Sequence, residues 1–404
     1  MKKNKRYGVI DLFAGCGGLT DGFEQNGHFK TLACVEWDAY AVQNLRKRLS
    51  DKWGYKDTDK TVLQFDIQQT DRLFNGWSND KDYGNSIGLD KIISQDVDVI
   101  IGGPPCQAYS MAGRIQDKHN MKLDYRNYLF ESYLAVVKRY KPKLIIFENV
   151  QGILSACPDG EKITNKIQKA FDAAGYHILS DLRQALFDVA DFGIPQHRKR
   201  VIIFGVRDDI YNRFETILND FYKIYMPKYK SDHKMTVSDA IGDLPKLFPI
   251  SNNSKQAYTE DDLFMNHKAR YQSIRDKDIF KLLAQDIEDG INKYSNVKSL
   301  KELYTSITGK ESKIHKYNVL KWHEPSNTIP AHLCKDGLRH IHPDPKQARS
   351  ITVREAARLQ TFADDFQFIG PQTEQFKMIG NVVPPRFAYV LANIVYEILI
   401  KIDS

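Results

Sequence analysis

The sequence has 404 residues, 42% hydrophobic and 27% charged, with a formal net charge of +7. That length suits one large and one smaller domain around a sizeable core, and no run of about eighteen apolar residues argues for a membrane span. The basic start Met1-Lys2-Lys3-Asn4-Lys5-Arg6 leads straight into a strand pattern rather than a signal core, so the expected location is the cytoplasm.

Short apolar runs alternate with helix-like segments through the first half. The predicted strands are Tyr7-Gly8-Val9-Ile10, Thr31-Leu32-Ala33-Cys34-Val35, Val62-Leu63-Gln64-Phe65, Val97-Asp98-Val99-Ile100-Ile101, Leu144-Ile145-Ile146-Phe147 and Val201-Ile202-Ile203-Phe204-Gly205-Val206. Each is nearly continuous in hydrophobicity, as strands buried on both faces are. Helices are predicted over 127–140 and 161–174, and the alternation gives an α/β fold with a doubly wound, Rossmann-like sheet. Residues 50–60 and 69–95, rich in Asp, Lys, Asn, Gly and Ser, read as surface loops. After Arg207 the alternation stops, and 211–320 reads as a second, smaller, irregular domain. Helices return over 353–362 and 386–402. In the latter, the stripe Phe387, Val390, Leu391, Ile394, Val395 and Ile398 needs a core to pack on.

The segment Asp11-Leu12-Phe13-Ala14-Gly15-Cys16-Gly17-Gly18 follows the first strand directly. Its glycines allow a tight turn and close approach of a ligand to the backbone. Glu36 ends the second strand, where a carboxylate can accept from both ribose hydroxyls of a nucleoside cofactor. Trp37 offers a face for adenine, and Asp66 could accept from its amino group. A plain structural turn explains such a loop when it stands alone. A dinucleotide enzyme also stays open here, but the loop reads G-x-G-G, and Asp11 suits a cofactor with a positive amino group better than a pyrophosphate.

Gly102-Gly103-Pro104-Pro105-Cys106-Gln107 follows the fourth strand, at the edge where such sheets bind ligands. The five cysteines are Cys16, Cys34, Cys106, Cys157 and Cys334. An odd number, wide spacing and the lack of a CxxC pair argue against disulfides and against a metal site. Cys106 sits on a stiff, polar, glycine-flanked loop that packing explains poorly, whereas Cys34 within its strand suits a buried thiol. Glu148 ends the next strand at the same edge, where its plainer role would be a capping carboxylate. Thiol, carboxylate and cofactor loop along one edge make an active site. In Gln196-His197-Arg198-Lys199-Arg200, the two arginines Arg198 and Arg200 are expected on one side of an extended segment. Either could lower the pKa of Cys106 or contact a base carbonyl. His197 and Lys199 read as a solvated charge run. The +7 charge is compatible with a nucleic-acid partner, and equally with a solvated basic surface.

Taken in order, these residues resemble the DNA cytosine C5-methyltransferases of bacterial restriction–modification systems. The resemblance adds Asp66-Ile67, Arg126-Asn127-Tyr128-Leu129-Phe130, Glu148-Asn149-Val150, Arg354-Glu355-Ala356-Ala357-Arg358-Leu359-Gln360 and Gly380-Asn381-Val382-Val383-Pro384. It implies an S-adenosylmethionine-dependent methyltransferase with Cys106, Glu148, Arg198 and Arg200 as catalytic residues. The implied cofactor residues are Asp11, Phe13, Ala14, Gly15, Cys16, Gly17, Gly18, Glu36, Trp37, Asp66, Ile67, Pro105, Leu129, Asn381 and Val382, with no metal. It further implies a catalytic domain over 1–207, completed by 372–404, and a target-recognition domain with its hinge over 208–371. Double-stranded DNA is the expected partner, with a cognate restriction endonuclease and a monomeric chain. Two departures, a long polar loop over 111–125 and the 69–95 insertion, are expected to touch no motif residue. An RNA methyltransferase with the same motifs, or an inactive binding module, are the competing readings; the long segment after Arg207 favours DNA, and intact Cys106, Glu148 and Arg200 favour activity.

Overall fold

The computed structural model describes residues 6–105, 129–158, 160–250, 258–311, 317–335 and 337–404. The chain forms two compact units, one of Met1–Phe192, Lys199–Asp232 and Val382–Ser404, the other of Gly193–Arg198 and His233–Asn381. These limits differ from the expected 1–207, 372–404 and 208–371, for packing reasons. Residues 208–232 stay with the first unit because Phe221 stacks on Phe204 at 4.2 Å and the Tyr222 hydroxyl donates to the Ile202 carbonyl at 2.9 Å. The Gln372–Asn381 helix stays with the second, where the Gln360 side chain donates to the Ile379 carbonyl at 2.8 Å.

The first unit carries an eight-stranded sheet. Its strands are β1 (Tyr7–Leu12), β2 (Phe29–Glu36), β3 (Val62–Gln64), β6 (Val99–Gly102), β7 (Leu144–Val150), β8 (Tyr176–His177), β9 (Leu186–Asp188) and β10 (Lys199–Arg207), with a separate hairpin of β4 (Trp77–Asp80) and β5 (Gly84–Ser86). The order is β3-β2-β1-β6-β7-β10-β8, with β9 also on β10. Strands β3, β2, β1, β6 and β7 are parallel. All six residues of β1 are buried between two neighbours, which is why the strand reads as continuously apolar. The chain turns from β1 outward to β2 and later returns to β6 on its other side, so the carboxyl ends of β1 and β6 form the switch point where such sheets bind ligands. The last strand departs from an all-parallel sheet: β10 runs antiparallel to β7, with Arg200 opposite Val150 and Ile202 opposite Glu148. Its amino end therefore lies at the ligand-binding edge.

The segment over 69–95 is not a plain loop. Short helices Thr70–Asn75 and Leu89–Ile92 flank the β4–β5 hairpin, and Trp77 lies flat on Phe65 at 3.8 Å. The predicted C-terminal stripe finds its core. The Pro385–Asp403 helix packs on the Gly18–Asn26 helix so closely that a Cβ at Gly22 would stand 2.4 Å from that of Ala388. The run Gln372–Asp403 is long and apolar enough to cross a membrane, yet 67% of its most apolar window is buried within the protein, as in a core helix.

The second unit is more regular than its sequence suggests. Helices Ile274–Glu288 and Val297–Thr308 bury Phe280, Leu283, Ala284 and Leu303 against Tyr317, Val319 and Ile341. Ser273 and Asn296 cap their starts through Asp276 N–H and Ser299 N–H, as short polar side chains do. The Val353–Leu359 helix opens with a capping box between Thr352 and Glu355. The Glu355 carboxylate also meets the Arg349 guanidinium at 2.6 Å, with both side chains buried. Burial acts to raise the Glu355 pKa, but the Arg349 charge outweighs it and holds the carboxyl well below the usual range. Glu355→Ala would leave Arg349 buried with its counter-ion removed. The expected loss is about 3–5 kcal/mol of stability, read as a lowered denaturant midpoint, and an unchanged midpoint would contradict it.

Burial also lowers two imidazoles of this unit, His340 to about 4 and His342 to about 3. Arg349 adds to the shift at His342, and Glu355 at 3.5 Å offsets only part of it. Both rings are neutral in the fold, while unfolded histidine titrates near 6.5. Between these values the unfolded chain binds more protons, so this contribution is full above pH 6.5 and drains as pH falls toward 4. Stability should drop by on the order of 1 kcal/mol per pH unit per histidine over that window. A His342→Asn variant should show a shallower fall in Tm; an identical slope would contradict the assignment.

Candidate active site and cofactor cradle

The turn after β1 places Phe13, Gly15 and Gly17 in left-handed backbone, with φ of 59°, 56° and 94°. A non-glycine residue held there is strained, a feature that gathers at ligand sites. At Gly15 an added Cβ would meet open space, whereas at Gly17 it would strike Leu45 at 2.4 Å and at Gly18 Val382 at 2.2 Å. Gly17 and Gly18 are thus set by packing, and Val382 lies directly on the turn. Ala14 N–H donates to the Val35 carbonyl at 3.2 Å, tying the turn to β2. Cys16 is buried, and burial pushes its thiol pKa up, so it can face a ligand only through its backbone.

Two carboxylates support this turn. Glu36, at the end of β2, accepts Gly15 N–H on Oε2 at 2.9 Å, and the N–H groups of Trp37 and Asp38 on Oε1 at 2.8 and 2.9 Å. Burial raises its pKa against these three amides. With two lone pairs per oxygen, Oε1 is filled by the amides and, among the described residues, Oε2 keeps one position. Asp11, wholly buried in β1, accepts Thr20 N–H at 3.1 Å and the Thr20 hydroxyl at 2.6 Å on Oδ2, which pins the first turn of the Gly18–Asn26 helix. Its Oδ1 has no hydrogen-bond partner among the described residues, and burial pushes the carboxyl up to about 7. Sequence reasoning missed Thr20, which nothing but this contact distinguishes. Beside Glu36 the Trp37 ring is 60% exposed, and after β3 Asp66 Oδ1 accepts two N–H groups of Gln68 at 3.0 and 3.2 Å. Ile67 is buried next to it, and Leu129 is buried at the start of the Leu129–Tyr140 helix. Asn381 ends the Gln372–Asn381 helix, exposed, in the second unit.

Cys106 lies outside the described residues, as do Gln107, Ser110, the loop over 111–125 and residues 126–128. The approach to Cys106 is described as far as Pro105, which is half-buried. A Cβ at Gly103 would stand 2.7 Å from Glu148 Oε2, so a larger residue here would displace this carboxylate. The Asn149 side chain donates to the Pro104 carbonyl at 3.3 Å. The chain leading to Cys106 is thereby laid against Glu148 and Asn149.

Glu148, at the end of β7, pairs with Arg200: Nε stands 2.6 Å from Oε1, and each side chain is 11% exposed. The antiparallel course of β10 makes this pair. Arg198 has different partners. Its guanidinium donates to the carbonyls of Ile329 and Gly380, each at 3.0 Å, within the second unit. The two arginines thus have different partners, and a unit boundary falls between Arg198 and Lys199. His197 and Lys199 are exposed. Gln196 is buried; it accepts Ile329 N–H at 2.8 Å and donates to the Gln360 side chain at 3.0 Å, so two motifs far apart in sequence are joined.

Over residues 7–397 the chain matches the C-5 cytosine-specific DNA methylase family. It is 33% identical to the Type II methyltransferase M.Bpa9945I of Bacillus paralicheniformis, over 97% of this chain and 99% of that protein. It is 31% identical to the Type II methyltransferase M1.HphI of Haemophilus parahaemolyticus, over 96% and 86%. Among solved structures it resembles a prophage-encoded Escherichia coli chain assigned as a DNA modification methyltransferase, with 25% identity, a TM-score of 0.61 and coverage of 97% and 99%. With a match that spans nearly the whole chain and a mixed α/β sheet to carry it, this protein belongs to the C-5 cytosine-specific DNA methylases and is a DNA cytosine-5 methyltransferase.

Proposed function

We propose that this enzyme moves a methyl group from S-adenosylmethionine to C5 of a flipped-out cytosine, within a specific double-stranded DNA sequence, through a covalent intermediate on Cys106. The observation that carries this reading is one sheet edge holding the glycine turn, Glu36, the Gly103-Pro104-Pro105 approach and the Glu148–Arg200 pair. The residues fit the donor: among the described residues Asp11 Oδ1 lacks a partner and Glu36 Oε2 keeps an acceptor position, Trp37 is exposed, and Gly15 leaves room at the turn. When bound, S-adenosylmethionine supplies an electrophilic methyl on a positive sulfonium.

Cytosine C5 is a poor nucleophile and unreachable in the stack, so the base is flipped. The Cys106 thiolate forms a bond to C6, and the displaced electron pair makes C5 enamine-like. Glu148 holds the N3 and N4 edge and supports transient protonation of N3. Arg200 orients Glu148 and O2, whereas the Arg198 hydrogen bonds suit a structural role. After C5 takes the methyl, its proton passes to water, the C–H electron pair restores the C5–C6 double bond, the C6–S bond breaks, and Cys106 leaves as thiolate. The first unit then does the chemistry, and residues 233–371 read the DNA. The relatives' Type II names suggest a cognate restriction endonuclease; we take the enzyme to work as a monomer on cytoplasmic DNA. Bisulfite sequencing of DNA from a methylation-free host expressing this chain should show protected cytosines within one recurring sequence. Fully converted DNA from cells that make folded protein would contradict the reading.

A further inference from the structure

We infer that the β4–β5 hairpin forms a wall of the adenine end of the cofactor site, with Tyr83 as a positioning residue that acts on the purine through Asp66. The inference rests on the reading of the first unit as an S-adenosylmethionine site. Three side chains of the 69–95 insertion converge on Phe65, the residue before the Asp66-Ile67 motif. The Trp77 ring lies on Phe65 at 3.8 Å and 18°, the Tyr83 ring meets Phe65 edge-on at 5.1 Å, and the Arg72 guanidinium stands 5.5 Å over the same ring. Phe65 N–H in turn donates to the Glu36 carbonyl at 2.9 Å, so the clamped segment is fastened to the backbone of the residue whose side chain accepts Gly15 N–H.

The hairpin is itself braced. Trp77 Nε1 donates to the Tyr83 carbonyl at 3.1 Å, Arg72 pairs with Asp80, and Asp80 Oδ1 accepts Asp82 N–H and Tyr83 N–H at 2.9 and 3.0 Å. Tyr83 meets Phe65, the residue directly before Asp66, and the half-buried phenol has its pKa raised by burial and, next, by the negative charge of Asp66. Gln68 occupies Asp66 Oδ1. A carboxylate fixed on one oxygen, directly after a ring clamped by a braced hairpin, is confined to a narrow set of orientations, as recognition of a purine 6-amino group demands.

Calorimetry on the full chain with S-adenosylhomocysteine and S-inosylhomocysteine tests this, since the second ligand has an oxo group where the first has the amino donor. The wild type should prefer the adenosyl ligand by about tenfold, the value of one charge-assisted hydrogen bond. Tyr83→Ala should reduce that ratio to about threefold or less, chiefly by weakening the adenosyl ligand. Tyr83→Leu, which keeps apolar cover on Phe65, should fall the same way and serves if the alanine variant does not fold. A wild-type ratio retained by a folded variant overturns the role of Tyr83. A wild-type ratio near one overturns instead the assignment of Asp66 to the amino group.

Discussion

Glu148→Gln is expected to lower kcat by on the order of 10²–10⁴-fold, the usual contribution of a positioned proton-transfer group, with DNA affinity little changed. The amide matches the carboxylate in shape but cannot share a proton with N3 of the base. It also removes the charge opposite Arg200, whose Nε stands 2.6 Å away with both side chains largely buried. Breaking such a pair leaves a buried charge and costs about 3–5 kcal/mol, so Tm should fall as well. The two effects separate by temperature. Single-turnover transfer well below the midpoint reads chemistry alone, and there the deficit should persist. Glu148→Asp keeps the charge but draws the carboxylate back by one methylene, so it should recover stability more than rate. A folded glutamine variant with transfer near the wild-type rate would remove Glu148 from the reaction.

The parts of this site that sequence made legible are those with a single physical cause. Strands β1, β2, β6, β7 and β10 announce themselves because burial on both faces demands unbroken apolar runs. Gly15 and Glu36 stand where a strand meets a turn, and the structure joins them by a 2.9 Å hydrogen bond. Direction is less legible: an apolar run reads the same parallel or antiparallel, so the course of β10, and with it the Glu148–Arg200 pair, is absent from the pattern. Arg198 and Arg200 look equivalent by alternation, yet a unit boundary falls between them. The hairpin over 77–86 was hidden by its polar composition, since only Trp77 and Tyr83 turn inward onto Phe65. In the second unit, the caps at Ser273 and Asn296 and the helical spacing of Ile279, Phe280, Leu283, Ala284 and Ile287 were readable signals, but they lack the alternation with apolar strand runs that marks the first unit.

Cys106→Ser is expected to abolish methyl transfer, because a serine hydroxyl is far less ionised than a thiol at neutral pH and cannot add to C6 at a useful rate. The other cysteines offer poor substitutes. Cys16 and Cys34 are buried, with thiols pushed upward by burial. Cys157 is exposed and Cys334 half-buried, and neither follows a glycine–proline approach laid against Glu148. Serine replacement of Cys34 or Cys157 should therefore leave transfer intact.

The most direct measurement uses a duplex oligonucleotide with 5-fluorocytosine at the target position. Release of the enzyme requires C5 to lose its substituent as a cation, which a proton does and fluorine cannot. The base should accept the methyl group and then stay bonded through C6 to sulfur. The expected result is a protein–DNA adduct that survives denaturing electrophoresis, needs S-adenosylmethionine to accumulate, maps by mass spectrometry to Cys106 and is absent from Cys106→Ser. An adduct that persists in Cys106→Ser, or that maps to another residue, would contradict the account.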